Sequence, residues 1–157
     1  MKTRTALLLL LTTALFAANQ LSATAREPDQ SDQLVKPEEL AKLLSSETTS
    51  AQLSVLCVGF PVLYRGGHIV GSKFVGPASR PEGIQALRRE VQNLPRNRRI
   101  VLYCGCCPWD DCPNIRPAFE ALHATGFTNV ALLYLPHKFL DDWISKGFPV
   151  QKGDEPK

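Results

Sequence analysis

Three short apolar runs set the pattern of this 157-residue chain: "LSVLCVGF" (53–60), "RRIVLYC" (98–104) and "TNVALLYL" (128–135). Each is rich in β-formers and nearly continuous in apolar character, as a strand covered on both faces must be. Around them lie segments with helical spacing. "PEELAKLLSS" opens at Pro37 with acids in its first turn, and "PEGIQALRREVQNL" places Ile84, Leu87, Val91 and Leu94 on one face. "RPAFEALHATG" closes at Gly126, and "HKFLDDWISKG" puts Phe139, Leu140 and Trp143 on one side before Gly147. Strands in alternation with helices predict an α/β fold with a mostly parallel central sheet flanked by helices. In such folds ligands gather outside the carboxyl ends of the strands.

The residues at those ends carry the chemistry. "YCGCCPWDDCPN" follows the second run, and four of the five cysteines, Cys104, Cys106, Cys107 and Cys112, fall within it. Leu135-Pro136-His137 ends the next strand.

The compartment follows from the first residues. Lys2 and Arg4 precede an apolar run from Ala6 to Ala18, and Ala23-Thr24-Ala25 has the small-x-small form of a cleavage site. Residues 1–25 read as a secretory signal peptide, so the chain is expected to be exported, to the periplasm or the medium. The run is short for a membrane span. Residues 26–36 read as a flexible leader, 37–150 as one domain and 151–157 as a disordered tail. Loss of Lys2 and Arg4 takes the net charge from +3 to +1, because residues 1–25 hold no acid. Near-neutrality gives no reason to expect nucleic acid or an anionic membrane as partner.

Four close thiols in an oxidising compartment lead us to expect one loop disulfide, with Cys107–Cys112 a candidate pair. Adjacent Cys106 and Cys107 would strain a bridge between them. Cys104 and Cys107 also form a C-x-x-C that can cycle between dithiol and disulfide. Four thiolates can hold a soft ion such as Cu(I) or zinc, but zinc sites usually draw on two separated pairs, and no resident metal or cofactor is expected. Cys57, inside a strand, reads as a buried inert thiol. His137 is a candidate base or ligand beside the loop, or a solvent-facing residue at a helix start. His68 in the glycine turn reads as structural, and His123 carries no signal. Trp109 can cover the thiols or pack on the surface. Asp110 and Asp111 would raise thiol pKa values by like charge.

From about Leu53 to Val150 the order of elements and several short motifs resemble the rhodanese-like domain family. "GHIVGS" (67–72) is similar to its Gly-His-Ile-x-Gly-Ala turn, and "RIVLYC" to the strand that delivers its cysteine. "TGFTNVALL" and "DDWISKGFPV" are similar to a later strand and the closing Trp-x-x-x-Gly-x-Pro-Val. The resemblance implies a three-layer fold and sulfur transfer. Cys104 would take sulfane sulfur from a thiosulfate-like donor, hold it as a persulfide and pass it to a thiol acceptor; which protein partner it serves is not named by the sequence. Backbone N–H groups and the helix that follows would stabilise its thiolate, and Arg116, in "NIRPA", would neutralise charge. The chain departs from the family in three places. The loop is longer and holds Pro108, Pro113 and Pro117, which lack backbone donors. Cys57-Val58-Gly59 stands where the family has Asp-x-Arg, and Pro136-His137 where it has Gly-Gly. Two alternatives remain beside sulfur transfer: a thiol redox or soft-metal protein built on the cysteine cluster, and a non-catalytic binding module.

Overall fold

In the computed structural model, which describes residues 33–153, the apolar runs form the middle of a five-stranded sheet. Its elements in chain order are β1 (Leu34–Val35), α1 (Pro37–Leu44), α2 (Glu47–Ala51), β2 (Leu53–Cys57), α3 (Pro61–Gly66), β3 (His68–Ile69) and β4 (Lys73–Phe74). There follow α4 (Pro81–Val91), β5 (Arg99–Tyr103), α5 (Ile115–Ala124), β6 (Val130–Leu133) and β7 (Val150–Gln151). The sheet order is β1-β6-β5-β2-β4 and every pairing in it is parallel. β3 and β7 form a separate antiparallel ribbon. The expected α/β architecture with a parallel sheet between helices is thus the observed one.

Strand periodicity divides the core into two layers. Ile100, Leu102 and Cys104 face α4 and α5, where they pack with Leu87, Phe119 and Leu122. Val101 and Tyr103 face the other way, onto Leu40, Tyr64, Phe139 and Trp143. A buried aliphatic or aromatic side chain of this kind contributes about 1.5–3 kcal/mol, so both layers are firmly held. β5 is central and leaves its last residues at the joint between the layers. That is where the cysteine loop begins.

Several segments differ from the sequence-based expectation. Leu34–Val35, placed in the leader, pairs with β6 through Leu132 and Leu133. Val150–Gln151 pairs with β3, so the start of the tail is tied down, with Gly153 N–H donating to the Arg65 carbonyl at 3.0 Å. Two-residue strands carry no readable period. The last helix is a π-helical segment at Leu140–Ile144. Its wider turn buries Phe139 and Trp143 but leaves Leu140 59% exposed, against the expectation that all three lie on one side. The Trp143 indole N–H donates to the Pro149 carbonyl at 3.0 Å, which ties this segment to the chain's end. Among the described residues no helix is long and apolar enough to cross a membrane. The signal-peptide expectation falls on residues 1–25, outside the described residues.

Candidate active site

β2 and β5 run side by side and end together, and the Val58 N–H donates to the Tyr103 carbonyl at 2.9 Å. This brings Gly59 against Cys104. A Cβ on Gly59 would lie 2.8 Å from the Cys104 carbonyl oxygen and 3.3 Å from its sulfur. Glycine is what lets the two strand ends close around the thiol. The next turn also depends on glycine. Gly105 has φ +73°, and a Cβ there would lie 2.5 Å from Cβ of Phe139. Its carbonyl accepts a hydrogen bond from the Phe139 N–H at 3.3 Å.

The loop folds its sulfurs inward. Sγ of Cys104 and Cys106 are 3.1 Å apart, as are those of Cys106 and Cys107. The Cys104, Cys106 and Cys112 sulfurs all lie within 4.8 Å of one another. The expected loop disulfide is absent: none of the five cysteines, Cys107 and Cys112 included, is in a disulfide. The loop instead turns Cys107 toward the Asp111 carbonyl, 3.6 Å away, while Cys112 joins the inner group. The C-x-x-C pair of Cys104 and Cys107 is likewise not the intimate one, because Cys106 stands between them.

Asn114, fully buried, organises the cluster. Its Oδ1 accepts the Ser79 backbone N–H at 2.9 Å. That bond orients the amide so that Nδ2 donates to the Cys104 sulfur at 3.3 Å and to the Cys106 sulfur at 3.8 Å. Asn114 was not among the residues singled out in the sequence. Its position just before α5, one residue ahead of the apolar stretch, marks a helix cap; here the side chain turns to sulfur instead of capping the helix.

Charge in the cluster gathers on Cys112. Hydrogen bonds from the Cys104 and Cys106 thiols draw its pKa down to about 2 despite partial burial, helped by the backbone N–H groups of Asn114 and Ile115. The start of α5 therefore serves Cys112 and not Cys104. The contact with Cys106 favours the Cys104 anion, but the bond to Cys112, burial and the Cys112 charge outweigh it and hold Cys104 up at about 12. Cys106 is pushed up by Cys104, Cys112 and burial. Cys107 is raised to about 12 by burial and the neighbouring sulfurs. Sulfur neighbours and burial set these values, ahead of the exposed Asp110 and Asp111.

Cys104 and Cys106 line a cavity of about 330 Å³ together with Tyr103, Phe139 and Lys138, a size that suits a small ligand. Val62 and Leu140, 66% and 59% exposed, stand on its border, as does the exposed Lys138. Lys138 is the cation at this opening. Arg116 lies exposed in the first turn of α5 and is not part of the cavity lining. His137 also stays outside that lining. Its backbone N–H and Nδ1 meet the two oxygens of the buried Asp142 carboxylate at 2.7 and 3.0 Å, and its ring is largely in solvent. Cys57 is buried, as expected, and borders the cavity floor. His68 is buried and stacks on Tyr64 at 3.8 Å in the structural part of the glycine turn. Trp109 packs edge-on against Tyr134 at 5.4 Å beside the cluster.

No family model matches the chain, and no curated protein matches it. Solved structures do. The rhodanese-like domain of the Alr3790 protein of Anabaena superposes with a TM-score of 0.57 at 21% identity, over 80% of this chain and 83% of that one. A thiosulfate sulfurtransferase from Pseudomonas aeruginosa gives 0.57 at 23% identity, over 78% of this chain and 20% of that one. The single-domain sulfurtransferase RDL2 of Saccharomyces cerevisiae gives 0.54 at 14% identity, over 73% and 90%.

Proposed function

We propose that this chain, whose fold is that of rhodanese-like domains, is a sulfurtransferase that carries sulfane sulfur on Cys104. One observation carries the reading: the thiol at the end of the central strand sits in the wall of a small cavity, with an amide donor aimed at its sulfur. In the loading step Cys104 passes its proton to the hydrogen-bonded Cys112 thiolate and then, as thiolate, attacks the outer sulfur of a thiosulfate-like donor. The donor S–S bond breaks, sulfite leaves with the electron pair, and a Cys104 persulfide anion remains. An acceptor thiol then takes the outer sulfur as its own persulfide and returns its proton to Cys104. Asn114 donates to sulfur throughout, and Lys138 attracts the anionic donor. Residues 1–25 direct export in this reading, so the acceptor is an extracytoplasmic thiol.

The test is intact-protein mass spectrometry of the reduced, purified chain after incubation with thiosulfate. One added sulfur is expected at Cys104, absent in C104S and discharged by a small thiol. An unmodified Cys104 after prolonged incubation overturns the reading. N-terminal sequencing of the protein recovered outside the cytoplasm is expected to begin at Arg26.

One contact favours a second reading. The 3.1 Å between the Cys104 and Cys106 sulfurs lets the pair close to a disulfide with little movement, which suits thiol-disulfide exchange. A Cys104–Cys106 bond formed and broken reversibly in a redox buffer, with no sulfur loading, would select it.

A further inference from the structure

We propose that Cys104, Cys106 and Cys112 form a three-thiolate binding site for a soft monovalent metal ion, Cu(I) by its chemistry. The inference is independent of sulfur transfer. A thiolate–metal bond of about 2.3 Å places the sulfurs of a planar three-coordinate site about 4.0 Å apart. The three sulfurs already lie within 4.8 Å of one another. The Cys104–Cys106 pair, at 3.1 Å, must open, and a rotation of the half-buried Cys106 side chain supplies that movement.

Ligand type and number choose the ion. Among the described residues, the group holds sulfur alone, with no imidazole or carboxylate in it. Thiolates favour Cu(I), whereas zinc usually completes four ligands. Cys107 stays outside the group: its sulfur lies 3.1 Å from that of Cys106, but its thiol donates outward to the Asp111 carbonyl at 3.6 Å. Cys104 and Ile115 belong to one hydrophobic cluster, and Cys106, Cys112 and Trp109 pack against it.

The surroundings are those of a supported site. The buried Asn114 amide donates to two of the three sulfurs and is itself held by Ser79. Backbone N–H groups of Asn114 and Ile115 reach the third. Such outer partners orient ligands and offset their charge. Binding involves no change of oxidation state: the ligating sulfurs that still hold a proton release it to solvent and the ion remains Cu(I). Metal and sulfane sulfur would compete for the same atom, Cys104.

The test is an anaerobic titration of the reduced full chain with Cu(I) held by a chromophoric chelator, following withdrawal of copper from the chelate. The expected result is one Cu(I) per chain, with affinity lowered at least about tenfold in both C106S and C112S and unchanged in C107S. Zn(II) added in place of Cu(I) is expected to bind more weakly. Less than one copper per chain in the unmodified protein overturns the proposal. So does a C107S variant that loses as much affinity as C112S, or a C106S and C112S pair that keep it while retaining the native circular-dichroism spectrum. A chain that fails to bind Cu(I) yet still gains sulfur at Cys104 would reject the metal site and leave sulfur transfer standing.

Discussion

Replacing Asn114 by Asp keeps the shape of the side chain and changes one group. Oδ1 can still accept the Ser79 N–H at 2.9 Å, but the atom 3.3 Å from the Cys104 sulfur becomes an acceptor where a donor stood. A hydrogen bond to a charged group is worth about 1.5–3 kcal/mol and one to a neutral group about 0.5–1.5. The Asn114 amide therefore favours the Cys104 thiolate over the thiol by about 1–1.5 kcal/mol, close to a factor of ten. The second bond, at 3.8 Å to Cys106, is too long to add much. An ionised Asp adds like-charge repulsion in the same direction, so tenfold is the smaller bound. The assay is the rate of Cys104 alkylation at fixed pH, with peptide mapping to assign the site and urea unfolding to check the fold. N114D is expected to slow alkylation of Cys104 at least about tenfold and to lose less stability than N114A, which also orphans the Ser79 N–H. A folded N114D protein that alkylates within twofold of the unmodified rate would refute the role given to Asn114.

Other residues bear on separate parts of the structure. G59A forces a methyl group to 2.8 Å from the Cys104 carbonyl and is expected to lower the unfolding free energy by about 1–3 kcal/mol in urea; an unchanged midpoint would mean the strand ends give way freely. Burial, joined by the nearby Cys57, raises the Tyr103 hydroxyl well above 10. The unfolded phenol then ionises near pH 10 while the folded one keeps its proton, so this stabilisation is complete below pH 10 and falls as pH rises toward the folded value. Y103F should flatten that alkaline loss in pH-dependent melts, although it also removes the bonds to Ser72 Oγ and the Ile69 N–H. K138E, at the cavity border, is expected to slow sulfur loading from anionic thiosulfate several-fold, more at low salt than at high. An equal effect on an uncharged sulfur donor would remove Lys138 from the recognition of charge.

Much of this architecture is visible in the amino acids because buried parallel strands are long apolar runs. "RRIVLYC" and its neighbours announce the middle of the sheet and place Cys104 at a strand end without any knowledge of contacts. The edges are silent for the opposite reason. Leu34–Val35 and Val150–Gln151 contribute two residues each, and pairing partners far along the chain decide them. Leu140 misleads because the helical spacing expected there is replaced by a wider π turn. At the site, sequence shows which atoms are reactive but not which ones touch. C-x-x-C spacing points to Cys104 and Cys107, whereas the positive φ at Gly105 turns Cys106 back onto Cys104 instead. Asn114 reads as an ordinary helix start, and only the approach of Ser79 from a distant loop shows why its amide faces sulfur. Arg116 was named by analogy with a shorter loop, while the cation bordering the cavity, Lys138, comes from the far side of β6.

The tight seating of Gly59 and Gly105 on either side of Cys104 has a consequence for how such a loop can change over time. Neither position has room for a side chain, and both touch main chain or Cβ atoms that the sheet and the 139–144 segment hold in place. Insertions and drift are therefore confined to the stretch beyond Cys106. A library randomised at Val62, Lys138 and Leu140, which border the cavity, would alter which molecules can approach the thiol while its own coordinates stay put. The reacting atom and the selector of its clients sit on different segments, open to independent redesign.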